Sequence, residues 1–471
     1  MAAVDRFLAS VFLPTLERFS STRFWSIYRE MDQLRHSSSS ERHQRIQTKL
    51  LHLLSQAREQ VPYWQQLNIS ESNHHAIPLS NKATYTSTFP DGITSKQSSG
   101  DWQYLSSAGT TGRMTVVVNF VKRDYLRAAE HLNLKLATGS PVGVPAIDIP
   151  PSACNVVCGF ADPGPEPLLS YLWWGIKRGK VFSEDVMSGL RGRFERQVLL
   201  KRTVLLPFES APWTQMVSEL DACLAKIKQD NIQVLRALPH FLLWLATRAE
   251  QTGITLPRLK KVMPYGGLAS TEMVLRIESG LGARFVNVYG TGEVGSIGCG
   301  TDDINGIDIY SEMVCVEVVG DDGLPVREGE IGQVVVTDLN NFAMPIIRYA
   351  IGDVARVLRY DDAGEFAESI EVYGRQQECI KSPENDYVTP AQLQDAVFKY
   401  KNIINFKFEV ITPTLAKLTL VVLNGKNFDF EAELIISSLS ELMPWFKRIK
   451  LKKADFLLPE SSGKYLCVKQ K

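Results

Sequence analysis

Between residues 121 and 285 the chain alternates between helical periodicity and short apolar runs, and that alternation limits the possible folds more than any other feature. Asp124 to Ala137, Gln215 to Asp230, Phe241 to Gln251 and Ser270 to Gly280 carry apolar residues at helical spacing. Gln233 to Leu238, Lys260 to Gly267 and Arg284 to Tyr289 are rich in strand-forming residues, and Cys154 to Phe160 reads as a further buried strand. Strands joined through helices return parallel, with helices on both faces of the sheet. The fold class expected is therefore α/β.

At 471 residues the chain is too long for a single hydrophobic core. Residues 1 to 67 read as helical, with Ile46, Leu50, Leu53, Leu54 and Ala57 on one face and Val61-Pro62 as the stop. From about 306 to 374 short alternating runs (Val314 to Val319, Gly332 to Thr337, Ala355 to Leu358) indicate a small antiparallel subdomain. After Gly374 come a helix from Pro390, strands at Phe406 to Ile411 and Ala416 to Leu423, a helix at Phe430 to Leu442 and a strand near Lys450. This predicts a large N-terminal domain, 1–374, of mainly parallel sheets with flanking helices plus the β-subdomain, and a small mobile α+β C-terminal domain, 375–471.

Composition excludes several classes of partner. The 52 basic and 52 acidic residues balance, leaving no field to recruit nucleic acid or an anionic membrane. No run reaches the roughly 20 apolar residues that span a bilayer, and the N-terminus shows no leader pattern, so a cytoplasmic location is expected. Seven cysteines without a Cys-x-x-Cys pair suit a reducing compartment. A metal held by Cys299 and Cys315 is conceivable only with outside ligands.

The chemistry lies in local motifs. Ser107, Gly109, Thr110, Thr111, Gly112 and Arg113 belong to a small-residue loop in which glycines allow left-handed backbone angles and N–H groups and hydroxyls face an anion. Tyr289-Gly290-Thr291-Gly292-Glu293 closes a strand, where open parallel sheets bind ligands; the ring can stack on a base and the carboxylate can hold Mg²⁺ against phosphates. Asp353 can accept hydrogen bonds from two ribose hydroxyls. Ser461-Ser462-Gly463-Lys464 puts a lysine on a loop able to reach another domain.

Taken together and in order, these motifs resemble the adenylate-forming superfamily of acyl-CoA synthetases, adenylation domains and luciferases. The phenylacetate-CoA ligase branch is especially similar, in Ser107 to Gly112, Tyr289-Gly290 with Glu293-Val294, Gly329 to Thr337 and Pro345 to Tyr349. The resemblance implies ATP and Mg²⁺ as cofactors and coenzyme A as co-substrate. It places Ser107 to Arg113 on the β- and γ-phosphates, Gly266, Gly267 and Tyr289 with Gly290 at the adenine, Thr291 and Glu293 at the α-phosphate and Mg²⁺, and Asp353 and Arg375 on the ribose. Lys464 would bridge the substrate carboxylate and the α-phosphate, and Glu378 stands at the hinge. Phe160, Trp173, Trp174, Phe208 and His240 are candidates for a pocket taking a flat aryl acid, although on a strand the two tryptophans would face opposite ways. Arg113 and Met114 replace a usual Lys-Pro, Glu378 replaces Asp, and Ser382 to Asp386 replace a glycine passage for the pantetheine arm. Transfer to an amine or a carrier-protein thiol is therefore the alternative to coenzyme A. A dimer is compatible with the sequence.

Overall fold

The computed structural model describes residues 3–19, 22–69, 73–96, 102–107, 114–150, 167–179, 184–205, 210–264, 266–300, 306–384, 387–423 and 428–470. The chain opens with helices. Ser39–Gln60 starts where the Ser38 hydroxyl accepts from the Glu41 N–H, and it buries Ile46, Leu50, Leu53, Leu54 and Ala57. Its break before Pro62 falls where the sequence indicates, and Pro62 begins the next helix. Helix Phe24–Leu34 packs on Phe120–Thr138, which is capped by Asn119 and ends at Gly139 with φ +79°.

Five strands form a wholly parallel sheet in the order Arg202–Val204, Ala146–Ile149, Val234–Ala237, Lys261–Pro264, Arg284–Phe285. Helices Pro239–Thr252 and Thr271–Leu281 are two of its crossovers. The apolar run expected as one strand from Arg284 to Tyr289 is in fact divided: Arg284–Phe285 ends the parallel sheet and Val288–Thr291 begins another. An apolar run cannot announce a change of sheet, because both halves are buried for the same reason.

That second sheet is antiparallel and has seven strands, in the order Val314–Val319, Ile331–Asp338, Tyr349–Tyr360, Ala367–Arg375, Gly306–Ile309, Gly295–Gly300, Val288–Thr291. It is larger than the small subdomain expected and starts at Val288, not near 306. Strand Ala367–Arg375 had no apolar alternation to betray it, since Glu368 and Glu371 lie on it, paired with Arg42 and Arg356.

The chain after Gly374 folds into a four-stranded sheet, Arg448–Ala454, Leu415–Val422, Ile403–Thr412, Val468–Gln470, with helices Pro390–Phe398 and Phe428–Leu442. It shares a hydrophobic core with the crossover helices. Trp244 donates to the Ile404 carbonyl at 3.1 Å, and the Arg276 guanidinium donates to the carbonyls of Phe398, Tyr400, Lys401 and Ile403. Gly374, at φ +116°, is required here: a Cβ would lie 2.8 Å from Pro390. No helix among the described residues is long and apolar enough to cross a membrane.

Candidate active site

The ends of the parallel strands, the antiparallel sheet and the C-terminal segment enclose a cleft of about 1030 Å³, counting its part open to solvent. Gly266 and Gly267, Tyr289 and Gly290, Asp353, Arg375, Glu378, His240 and Lys464 all line it. Most of the separated motifs thus meet at one place.

Sheet register creates the acidic corner. Asp353 and Arg375 are cross-strand partners on adjacent antiparallel strands, and Arg375 Nε stands 3.0 Å from Asp353 Oδ1. The Tyr289 hydroxyl donates to Asp353 Oδ2 at 2.8 Å, and Arg375 Nη1 donates to the Ile351 carbonyl at 2.7 Å. Burial pushes the Asp353 carboxyl upward, against the pull of Arg375 and Tyr289, and burial with the Asp353 charge keeps Tyr289 protonated. Each Asp353 oxygen retains a lone pair after these contacts, so the group can still accept two more hydrogen bonds.

Lys464 enters from the C-terminal segment. At Gly266, whose φ is +49°, a Cβ would lie 3.2 Å from both Cε and Nζ of Lys464, so the missing side chain makes room for the ammonium. Burial and then Arg375 lower the Lys464 pKa, while Asp353, Glu293 and Glu378 oppose that shift. The backbone beyond Lys464 is held by Glu378 Oε2, which accepts from the N–H groups of Cys467 at 3.1 Å and Val468 at 3.4 Å.

That clasp has a pH dependence. Burial raises the Glu378 carboxyl from 4.5 to about 7, more than its two N–H donors can offset. The docked arrangement therefore holds a proton that a solvated carboxyl releases near 4.5, and its stability falls as pH rises from 4.5 to about 7. Amide exchange at residues 466–470, corrected for intrinsic rate, is expected to be more protected at pH 5 than at pH 8. Glu378→Gln should flatten the difference, and an unchanged pH profile in that variant would discharge Glu378 from the role.

Glu293 follows the same strand as Tyr289. Its carboxylate is mostly buried and lies 3.6 Å from the Lys82 ammonium, and the Thr291 hydroxyl accepts from the Val294 N–H at 3.3 Å. From behind, Lys122 donates to the Val294 carbonyl at 2.8 Å and pairs with Asp338 at 2.7 Å. Neither lysine is marked by a sequence motif, and neither was anticipated. A single carboxylate suits Mg²⁺ arriving on substrate phosphates, since that ion keeps most of its ligands from water and phosphate.

His240 opens helix Pro239–Thr252 at the cleft wall. Its ring lies 4.8 Å from that of Tyr465, burial lowers its pKa to about 4, and its Nε2 has no hydrogen-bond partner. Trp173 and Trp174, expected at the acyl pocket, lie on helix Leu168–Lys177, are exposed by 59% and 39%, and are not among the residues lining this cleft. Their rings instead carry Lys177 and Arg178. Ser107 ends strand Gln103–Ser107 opposite Met114; Gly109, Thr110, Thr111, Gly112, Arg113, Phe160, Phe208 and the expected strand at Cys154 lie outside the described residues.

Cys299 and Cys315 are buried, and burial pushes both thiols upward. They do not join a potential ligand set: among the described residues the one such trio is His74, His75 and Glu317, and Arg348 already engages both Glu317 oxygens.

No family model matches the chain. It is 26% identical over 286 residues to a phenylacetate-coenzyme A ligase of Thermus thermophilus, a match covering 59% of this chain and 55% of that protein. The chain thus spans about half the length of that curated relative. Among solved structures, 2-hydroxyisobutyryl-CoA ligase in the postadenylation state with 2-HIB-AMP aligns with a TM-score of 0.65 at 14% identity, over 92% of this chain and 90% of that one. The amide bond synthetase McbA from Marinactinospora thermotolerans aligns with a TM-score of 0.51 at 16% identity, over 83% and 70%.

Proposed function

We propose, with the adenylate-forming fold and kinship to phenylacetate-CoA ligases as premise, that this chain is an AMP-forming carboxylic acid ligase whose acid is an aryl acid. One observation supports this above the rest: a lysine from the last ten residues stands in a glycine-lined cleft with the buried Asp353 and its half-buried partners Arg375 and Tyr289. A nucleotide's ribose and phosphates, and a carboxylate beside them, would use all of those groups at once.

In the reaction proposed, a substrate carboxylate oxygen attacks the α-phosphorus of ATP. The bond to the bridging oxygen breaks, giving acyl-AMP and pyrophosphate. Two anions must approach, so Lys464 lies between carboxylate and α-phosphate, Asp353 accepts from the ribose hydroxyls with Arg375 holding it, and Tyr289 with Gly266 and Gly267 flanks the base. Bound Mg²⁺ supplies charge neutralisation on the phosphates, with Glu293 as its protein ligand and Thr291 beside the α-phosphate. The loop Ser107 to Arg113 holds the terminal phosphates. Positioning supplies much of the remaining acceleration. The neutral His240 ring beside Tyr465 forms part of the acid pocket, where an aromatic acid can stack.

Residues 375–471 act as a lid that turns about Glu378 on the body 1–374, after which the thiol of coenzyme A displaces AMP. The polar stretch Ser382-Pro383-Glu384 favours a second reading, transfer to an amine or carrier-protein thiol, because an acidic group there repels the phosphates of coenzyme A. The test is pyrophosphate exchange across aryl and aliphatic acids, then mass spectrometry with coenzyme A or amines. Acid-dependent exchange and a thioester are expected. Exchange with an amide but no thioester selects the second reading, and no exchange with any acid overturns both.

A further inference from the structure

We propose that Lys82 is a further residue of the triphosphate site, exchanging its ion pair with Glu293 for the phosphates when the magnesium nucleotide arrives; this rests on the reaction proposed above. The lysine is not a loose surface cation. Its side chain is 17% exposed and that of Glu293 10%, with 3.6 Å between ammonium and carboxylate. Its backbone is fixed at two levels. Asn81 caps helix Lys82–Thr88 through a reciprocal pair with Thr84. One residue earlier, Ser80 is stitched to the strand that carries Asp353: its N–H donates to the Arg348 carbonyl at 2.9 Å, its carbonyl accepts from Ala350 at 2.9 Å, and its hydroxyl donates to Ile347 at 2.6 Å. Tyr85, on the same helix, accepts from the Ile347 N–H at 3.0 Å.

The opposite partner is equally constrained, because Lys122 grips the carbonyl next to Glu293. Two elements from distant parts of the chain therefore present one cation and one anion to each other, outside the lining of the cleft but close enough for the Glu293 charge to act on Asp353 and Lys464. At 3.6 Å this pair is longer than a charge-assisted hydrogen bond of about 2.8 Å, so exchanging it breaks no tight contact between these two groups.

Mg²⁺ supplies the reason to turn. A carboxylate engaged by a divalent cation repels an ammonium at that distance, and the four-carbon stem of lysine lets the ammonium swing. The nearest incoming anion is the triphosphate that bears the metal. Lys82 then opposes the charge that grows on departing pyrophosphate. Before nucleotide binds, it offsets the buried Glu293 charge.

The experiment compares wild type, Lys82→Met and Lys82→Arg in pyrophosphate exchange and in calorimetric titration with magnesium and a non-hydrolysable ATP analogue. Loss of one charge-assisted contact is worth about tenfold to a hundredfold. Lys82→Met is expected to raise KM for MgATP and for pyrophosphate by that factor and to weaken analogue binding equally. KM for the acid should stay within twofold, and Lys82→Arg should recover most of the loss. A purely structural lysine would instead shift the melting temperature and the acid KM together, and that result overturns the proposal, as does unchanged analogue affinity in Lys82→Met. If wild type exchanges with no acid yet Lys82→Met still weakens analogue binding, the ligase reading falls while the assignment of Lys82 to a polyphosphate site stands.

Discussion

Lys464→Ala is expected to slow acyl-adenylate formation by on the order of 10²-fold or more, the scale for losing one preorganised charge donor in a water-poor site. The ammonium sits beside Gly266 in the cleft, and burial and Arg375 both make its charge costly before anions bind. That cost is recovered only when anions arrive, which in the reaction proposed falls at the step where carboxylate meets α-phosphate. Truncation should therefore leave the melting temperature close to wild type, or slightly above it. Lys464→Arg should not restore the rate, because the compact ammonium packed beside Gly266 would be replaced by a larger planar fork with a different donor geometry. Pyrophosphate exchange measures the rate, and wild-type exchange in the alanine variant would remove Lys464 from the chemistry.

Local physics made part of this molecule legible before any coordinates. Helix Ser39–Gln60 shows in the spacing of its buried face and in Ser38 before it, and strand Lys261–Pro264 shows in its apolar run followed by two glycines, of which Gly266 takes φ +49°. Convergence is a different matter. Asp353 and Arg375 become partners through antiparallel register, and the Arg375 strand carries glutamates that hide it from a pattern reading. Lys82 follows an ordinary helix cap, and its meaning depends on Glu293, more than two hundred residues away. Trp173 and Trp174 show the complementary limit: aromatic residues mark burial on average, yet on helix Leu168–Lys177 these two are 59% and 39% exposed and meet basic side chains.

Arg348→Ala is expected to destabilise the fold by about 3–5 kcal/mol, the cost of stranding a buried charge. Arg348 is 2% exposed, and all five of its side-chain donors are used. Nε and Nη2 reach the two oxygens of Glu317 at 3.1 and 3.0 Å, Nη1 donates to the carbonyls of His75 and Ile77 at 2.7 Å each, and Nη2 also meets the Gly323 carbonyl at 2.9 Å. One guanidinium thus joins segment 75–80, strand Val314–Val319 and a turn of the antiparallel sheet. Its own backbone N–H donates to Thr337, and its carbonyl accepts from Ser80. Lysine supplies the charge but not the fork, so Arg348→Lys should recover under half of the loss. Adding Glu317→Ala to Arg348→Ala should restore part of the stability, because a buried carboxylate left with His75 as its one remaining charged neighbour at hydrogen-bond distance among the described residues is then removed. Denaturant midpoints read all four forms. Since the guanidinium also holds the His75 and Ile77 carbonyls, a few residues before Lys82, the alanine variant should, on the role proposed above for Lys82, also show a raised KM for MgATP even where it is folded. A midpoint shift under about 1 kcal/mol would mean that segment 75–80 is held by something other than this arginine.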